Sequence, residues 1–200
     1  MAYYYLVAQL PSLSYGQAAP MGSKAFIDLC KTALTPEDSV FLDFCTLDPW
    51  ALAPGTGVAS AAELAAPEFF AKWYAWERTL RLNLARYRAS RVKRDAPADV
   101  NDYPVDAAAA AKAASAMDSP LEAEIFLDEA RWQAIEAFQG LDYFDRNTVY
   151  AYLLKLLLIE RRSAFRADEG FSEYKGLYAA VMEAARGPVS ETSTESGERQ

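Results

Sequence analysis

From Val149 to Ile159 almost every position is apolar, and Lys155 alone interrupts the run. A helix with no wet side belongs in the centre of a bundle or in a membrane. This stretch would make about 16 Å of helix, roughly half a bilayer core, so it predicts a buried core helix. Asp145 offers an N-cap, and Phe144 before it can pack back onto Val149. The Lys155 ammonium must either snorkel out along its stem or meet a carboxylate.

The rest of the chain reads as helices divided by proline and glycine. Residues 3–8, YYYLVA, are aromatic and β-branched enough to predict a short strand or an extended arm, ended by Pro11. Residues 11–22 are loop, and Ser23 then caps a helix over 24–34 with Phe26, Leu29 and Cys30 on one face. Thr35-Pro36-Glu37-Asp38 restarts a helix to about Cys45, with an N-cap, a proline at the first position and acids in the first turn. Leu52–Ser60 is loop. A long helix over 67–94, about 42 Å of rise, carries Phe69, Trp73, Trp76, Leu80, Leu84 and Tyr87 on one stripe. Residues 95–106 form a break. Alanine-rich 107–117 has helix propensity but little to bury, so 95–117 is expected as an exposed, frayed excursion.

Pro120 opens a helix that Gly140 ends, with Leu121, Ile125, Trp132 and Ile135 inward and Asp128 on the same stripe. A last helix over 171–186 points Phe171, Tyr174, Leu177, Tyr178 and Val181 inward. The expected fold is therefore all-α, a bundle of about six helices with a short N-terminal strand. It spans 1–186 as one domain, and 187–200 form a disordered tail.

Composition narrows the chemistry. At 52% hydrophobic and 24% charged, the 200-residue chain has enough apolar material for a real core. Its net charge of −8 disfavours broad binding to nucleic acid or anionic lipid. The absence of histidine removes Ser–His–Asp and Cys–His chemistry and every imidazole metal site. Cys30 and Cys45 form no CxxC and lie on apolar stretches, which reads as buried free thiols in a reducing compartment. MAYYYLVAQLPSL lacks a basic region and a cleavage site, so it does not read as a signal peptide.

Several residues invite a functional reading. Asp128 and Lys155 are ionisable groups on apolar stripes of adjacent helices, and an ion pair between them would fix register. A catalytic lysine would want a nucleophile or a Gly-rich loop beside it, and none accompanies Lys155. Glu122, Glu124, Asp128 and Glu129 read as a solvated acidic face rather than a metal site. Arg86, Arg88, Arg91, Lys93 and Arg94 form a basic cluster that suits a helix C-terminus or an acidic partner. Trp73, Tyr74 and Trp76 read mainly as core, with Tyr74 and Trp76 at the edge of the stripe, where one can serve contact. No GxGxxG, Walker sequence or nucleophile elbow appears. The expectation is no enzyme, no cofactor and no metal.

Three segments carry a resemblance: YYYLVAQLPSL, FFAKWYAWERTLRLNLARYRASR, and the pair PLEAEIFLDEARWQAIEAF and YFDRNTVYAYLLKLLLIERR. Together they resemble the short helical proteins encoded with bacterial V/A-type ATPases, relatives of the C-type central-stalk component (d-type in eukaryotes). Leu127-Asp128 and Trp132 match one motif of that family. Asp145, Asn147 and Lys155 follow a second, with the asparagine two places after the acid where the family has three. The likeness spans most of 1–180, in a chain shorter than the usual C-type component, which is built from three helical units.

The resemblance implies a non-catalytic central-stalk part between the rotor shaft and the membrane ring. It would be cytoplasmic, peripheral to the inner membrane through the complex, with the other ATPase subunits as partners and no nucleic acid. The basic end at 86–94 and the acidic loop at 95–106 are the expected docking surfaces. A helical adaptor or assembly factor unconnected to ion pumping would share the same pattern.

Overall fold

The computed structural model describes residues 2–48, 66–95, 100–163, 175–178 and 180–182. The chain divides into two compact units, Met1–Ser163 and Ala164–Gln200. The first holds helices α1 (Tyr4–Gln9), α2 (Ser23–Ala33), α3 (Pro36–Ser39), a 3₁₀ stretch at Val40–Phe44, α4 (Glu68–Arg91), α5 (Val105–Ser115), α6 (Pro120–Gln139) and α7 (Arg146–Ser163). The all-α expectation holds, and no strand occurs among the described residues. In the second unit, residues 175–178 and 180–182 are helical. Leu177, Tyr178 and Val181, expected to face inward, are exposed there. Phe171 and Tyr174, the 52–60 loop and the 187–200 tail lie outside the described residues.

The expected N-terminal strand is a helix. An isolated strand would leave its amides and carbonyls without a sheet partner, whereas a helical turn pairs them internally. The spacing of buried Tyr3 and Leu6, with Tyr4 and Tyr5 exposed, suits a helix rather than a strand.

Most boundaries follow local chemistry. The Thr35 side chain accepts the Asp38 amide, with Pro36 next to the cap. Ser119 accepts the Glu122 amide before Pro120. At the far end of α6, Gly140 takes φ 84°, a left-handed conformation that only glycine adopts without strain. Asp145 accepts the Thr148 amide at 3.0 Å, as its position predicts. Ser23 departs from expectation. Gly22 holds the N-cap position of α2, and Glu160 from α7 caps the helix instead, accepting the Ser23 amide at 2.6 Å and its hydroxyl at 2.7 Å.

The centre of the unit is aromatic. Trp73 and Trp76 of α4 are fully buried and stack 6.1 Å apart, while Phe70 meets Tyr150 of α7 at 4.9 Å. Both indoles are satisfied, Trp73 by the Thr46 carbonyl at 3.0 Å and Trp76 by Asp106 at 2.7 Å. Tyr74 is half-buried and donates to the Phe44 carbonyl. Neither Tyr74 nor Trp76 stands free as a contact residue. As expected, α7 from Val149 to Ile159 has no wet side. Cys30 and Cys45 are buried free thiols, and burial pushes the Cys30 thiol up to about 12.

The alanine-rich stretch overturns its reading. It is not frayed; α5 packs against α4 and α6, with Ala107 and Ala111 at 0% exposure and Ala110 and Ala114 buried beside them. Small side chains contribute little area each, but they let helix axes approach closely, so the apolar surface buried belongs largely to the neighbours.

Asp38 ties the N-terminal segment to the bundle. It accepts from the Tyr3 hydroxyl and from Arg146 of α7 at 3.0 Å, while its backbone carbonyl accepts the Tyr150 hydroxyl at 2.9 Å. Burial alone would raise the Asp38 carboxyl, but the Tyr3 and Arg146 bonds outweigh it and hold the group below the usual carboxylate range.

Two outcomes follow from this packing. Ala111→Leu, which forces a larger side chain into a fully buried site, should cost about 1–3 kcal/mol and lower the melting temperature. Asp38→Asn should cost about 1–3 kcal/mol at neutral pH. Because the folded Asp38 pKa is depressed, its stabilisation is present above the unfolded carboxylate pKa and lost as pH falls through the lower folded value. Denaturant titrations of wild type and D38N should therefore converge below about pH 4.

Candidate functional site

Charged side chains cross the interface of α4, α6 and α7 as an alternating series. Glu77 of α4 is 0% exposed and Arg131 of α6 is 4% exposed. Their guanidinium and carboxylate face each other as two parallel bonds, Nε to Oε2 at 3.0 Å and Nη2 to Oε1 at 3.1 Å. The third Arg131 nitrogen, Nη1, donates to buried Asp128 at 3.0 Å. The series continues on both sides. Arg81 donates to Glu77 at 2.8 Å and to the Leu47 carbonyl at 2.6 Å, while Arg161 of α7 holds Glu124 at 2.7 Å and lies 3.6 Å from Asp128.

Burial opposes the charged form of Arg131, but the facing Glu77 and Asp128 more than offset it and raise its pKa. For Asp128 the balance tips the other way. Its burial outweighs Arg161 and Arg131 and lifts the carboxyl above the usual range. Each buried charge in the series therefore has a counter-charge, and none stands free as a base or nucleophile. The arrangement is suited to holding helix register.

The expected Asp128–Lys155 pair does not form. Lys155 bonds Glu136 at 3.0 Å and lies over the Trp132 ring at 4.9 Å, while the Trp132 indole donates to the same Glu136 oxygen at 2.9 Å. The reason is register. α6 and α7 run antiparallel, with Glu124 meeting Arg161 and Gln139 meeting Thr148. The level of Asp128 on α6 is thus met near Arg161, and Lys155 stands about 9 Å of helix away.

Glu77 and Arg131 escaped the reading of the sequence, yet their signal matched that of Asp128. Glu77 lies between Trp73 and Leu80 on the α4 stripe, and Arg131 between Leu127 and Ile135 on that of α6. Of the acids read as a solvated face, Glu122 and Glu129 are exposed, whereas Asp128 is buried and Glu124 is half-buried and paired. Among the described residues no group of three or more His, Cys, Asp or Glu side chains converges as a metal site.

An open cleft of about 780 Å³ runs beside the series, walled by Arg81, Arg88, Arg131 and Arg161 together with Asp48 and Glu124. Glu160 completes the rim, and Glu77 and Asp128 bond the arginines beneath it. The signs nearly balance, so this cleft has no surplus positive charge to select a phosphate.

The basic cluster at the end of α4 divides in two. Arg86 pairs with Asp102 at 3.0 Å and lies over the Tyr87 ring, and Arg91 donates to the Ser115 carbonyl at the end of α5. Those two are used within the fold. Arg88, Lys93 and Arg94 are exposed. The acidic loop is partly consumed as well, since Asp102 holds Arg86 and Asp106 holds the Trp76 indole.

No family model, no curated protein and no solved structure matches this chain.

Arg131→Ala would strand Glu77 and Asp128 and should cost about 3–5 kcal/mol in denaturant unfolding. The triple variant Glu77→Gln/Asp128→Asn/Arg131→Met should recover much of that loss, because no buried carboxylate is then left without its guanidinium. In double-mutant cycles Asp128 should couple to Arg131, while Asp128 and Lys155 should add within about 0.5 kcal/mol.

Proposed function

We propose that this protein is a non-catalytic coupling component of a V/A-type ATPase, acting between the rotor shaft and the membrane ring on the cytoplasmic side of the inner membrane. One observation carries the reading beyond the sequence likeness. Leu127, Asp128, Trp132, Asp145, Asn147 and Lys155, the motif residues in the segment pair that carries the resemblance best, belong to the single hairpin of α6 and α7. There Asp128, Trp132 and Lys155 make directional side-chain bonds, and Arg131 carries the series on to α4.

A part that passes torque must resist sliding of helix against helix. Apolar contacts alone are non-directional. Buried, bidentate charge pairs fix an axial position, which supports a stiff coupling element. Exposed Arg88, Lys93 and Arg94 give this acidic chain a local positive surface for an acidic partner. Arg91 is set aside from that surface because it closes the end of α5.

An affinity pull-down from gently solubilised membranes of the native host, read by mass spectrometry, tests the reading. Shaft and ring subunits should be recovered in near-equal amounts. Soluble partners in their place would favour a helical adaptor unconnected to ion pumping. Charge reversal at Arg88 and Arg94 should lower that recovery about tenfold, as expected for a loss near 1.4 kcal/mol, and leave the melting temperature unchanged. Undiminished recovery would remove this surface from the proposal.

A further inference from the structure

The cleft beside the buried series is balanced in sign, but a smaller pocket is not. It measures about 240 Å³ and lies where the loop 15–18 meets the last turns of α7 and the Trp132 ring of α6. Tyr15, Trp132, Leu158 and Ile159 give it an apolar wall. Arg162 is the single charged side chain among the described residues that line it, so the pocket has a cation and no carboxylate.

The loop wall is held in place by the bundle. The Tyr15 hydroxyl donates to the Ile125 carbonyl at 2.7 Å, and its ring meets Trp132 edge-on at 5.8 Å. The Gln17 amide donates to the Ser14 carbonyl at 3.2 Å, and between them Gly16 turns the chain at φ 87°, a conformation open to glycine. A side chain at Gly16 would begin 3.8 Å from Arg162 Nη1, so this nitrogen lies against the loop.

Arg162 is not committed as Arg81, Arg131 and Arg161 are. Its guanidinium lies over the Tyr15 ring at 4.9 Å, and it makes no ion pair among the described residues. Its Nη1 is covered from solvent and has no hydrogen-bond acceptor. A covered, charged donor left in that state is a cost to the fold that an incoming anion would remove. Asp128 and Glu129 act on Tyr15 from beyond the lining, but Asp128 is held by Arg131 and Glu129 is exposed.

We propose that this pocket binds a small organic acid, with its carboxylate on the Arg162 guanidinium and its apolar body against Trp132, Leu158 and Ile159. A guanidinium fork meets a planar carboxylate with two parallel bonds, and Nη1 then gains the acceptor it lacks. One cation beside an apolar wall matches a single negative charge. A phosphate dianion calls for further cations, and no other lines the pocket among the described residues. The volume suits a body of one ring or a short branched chain. The site stands apart from the exposed arginines of α4 and does not depend on the ATPase reading.

Phenylacetate and its uncharged amide, phenylacetamide, test it when each is titrated against the isotope-labelled full chain and followed by NMR. Phenylacetate should bind with a Kd of about 1 mM or tighter, in keeping with a fragment of its size, and should shift the Gly16 amide and Trp132 indole signals. Phenylacetamide should bind at least about tenfold more weakly, and Arg162→Gln should erase that difference. Ala18→Trp, which fills the pocket from an exposed position, should weaken phenylacetate at least about tenfold while the melting temperature stays put. Equal affinity for acid and amide, no binding of phenylacetate, or binding unchanged by Arg162→Gln would overturn the proposal. So would an equal response of the same signals to sulfate, which would mark general anion attraction. N-acetylphenylalanine binding at least about tenfold tighter than phenylacetate would also overturn it, by making a protein C-terminus the occupant.

Discussion

The two parallel bonds between Glu77 and Arg131 are the constraint on which the arrangement of the long helices rests. A carboxylate with no exposure is intolerable in isolation, because its desolvation costs several kcal/mol. Only a guanidinium in one position and orientation satisfies both of its oxygens while keeping a nitrogen for Asp128. α4 and α6 are therefore fixed along their axes as well as in their separation. Arg161 extends the same condition to α7, and Arg81 extends it to the backbone after the 3₁₀ stretch. The net stabilisation of such a series is modest, since attraction and desolvation nearly offset one another. Its larger effect is to penalise every shifted register that leaves one member unpaired.

Around this frame the smaller contacts follow one logic. Asp38 joins α3, the N-terminal segment and the start of α7, just as Glu160 joins α7 to the start of α2. In both cases a carboxylate distant in sequence satisfies donors that local residues leave open. Lys155, on a helix with no wet side, reaches Glu136 across the Trp132 ring rather than a buried acid. That keeps its ammonium at the margin of the core, where desolvation is smaller. The result is a bundle whose interior charges specify position and whose ends present different faces. One end offers exposed Arg88, Lys93 and Arg94, and the other exposed Leu141 and Tyr143.

On the proposed reading, these properties serve a part that joins other proteins. The charged groups of the interior are committed to one another, and the cleft beside them is balanced in sign.

The sequence by itself determined the helical class and most boundaries of the first unit. Those features depend on neighbours within a turn or two: Thr35 and Pro36, Ser119 and Pro120, Gly140 and Asp145 act through local backbone geometry. It also determined that α7 is central, because an apolar run without a wet face that is too short for a bilayer belongs in a core. Tertiary structure decided what depends on register and approach. Arg161 rather than Lys155 meets Asp128, because antiparallel packing sets which levels of α6 and α7 coincide. The alanines of α5 are buried because small side chains admit close neighbours, a property of the pair and not of the segment. Residues 4–9 are helical although their composition favours a strand, since no partner strand exists among the described residues to pair their amides. Glu77 and Arg131 could be suspected as charges on apolar stripes, but their pairing depends on how two helices distant in sequence are placed, and only the packed bundle fixes that.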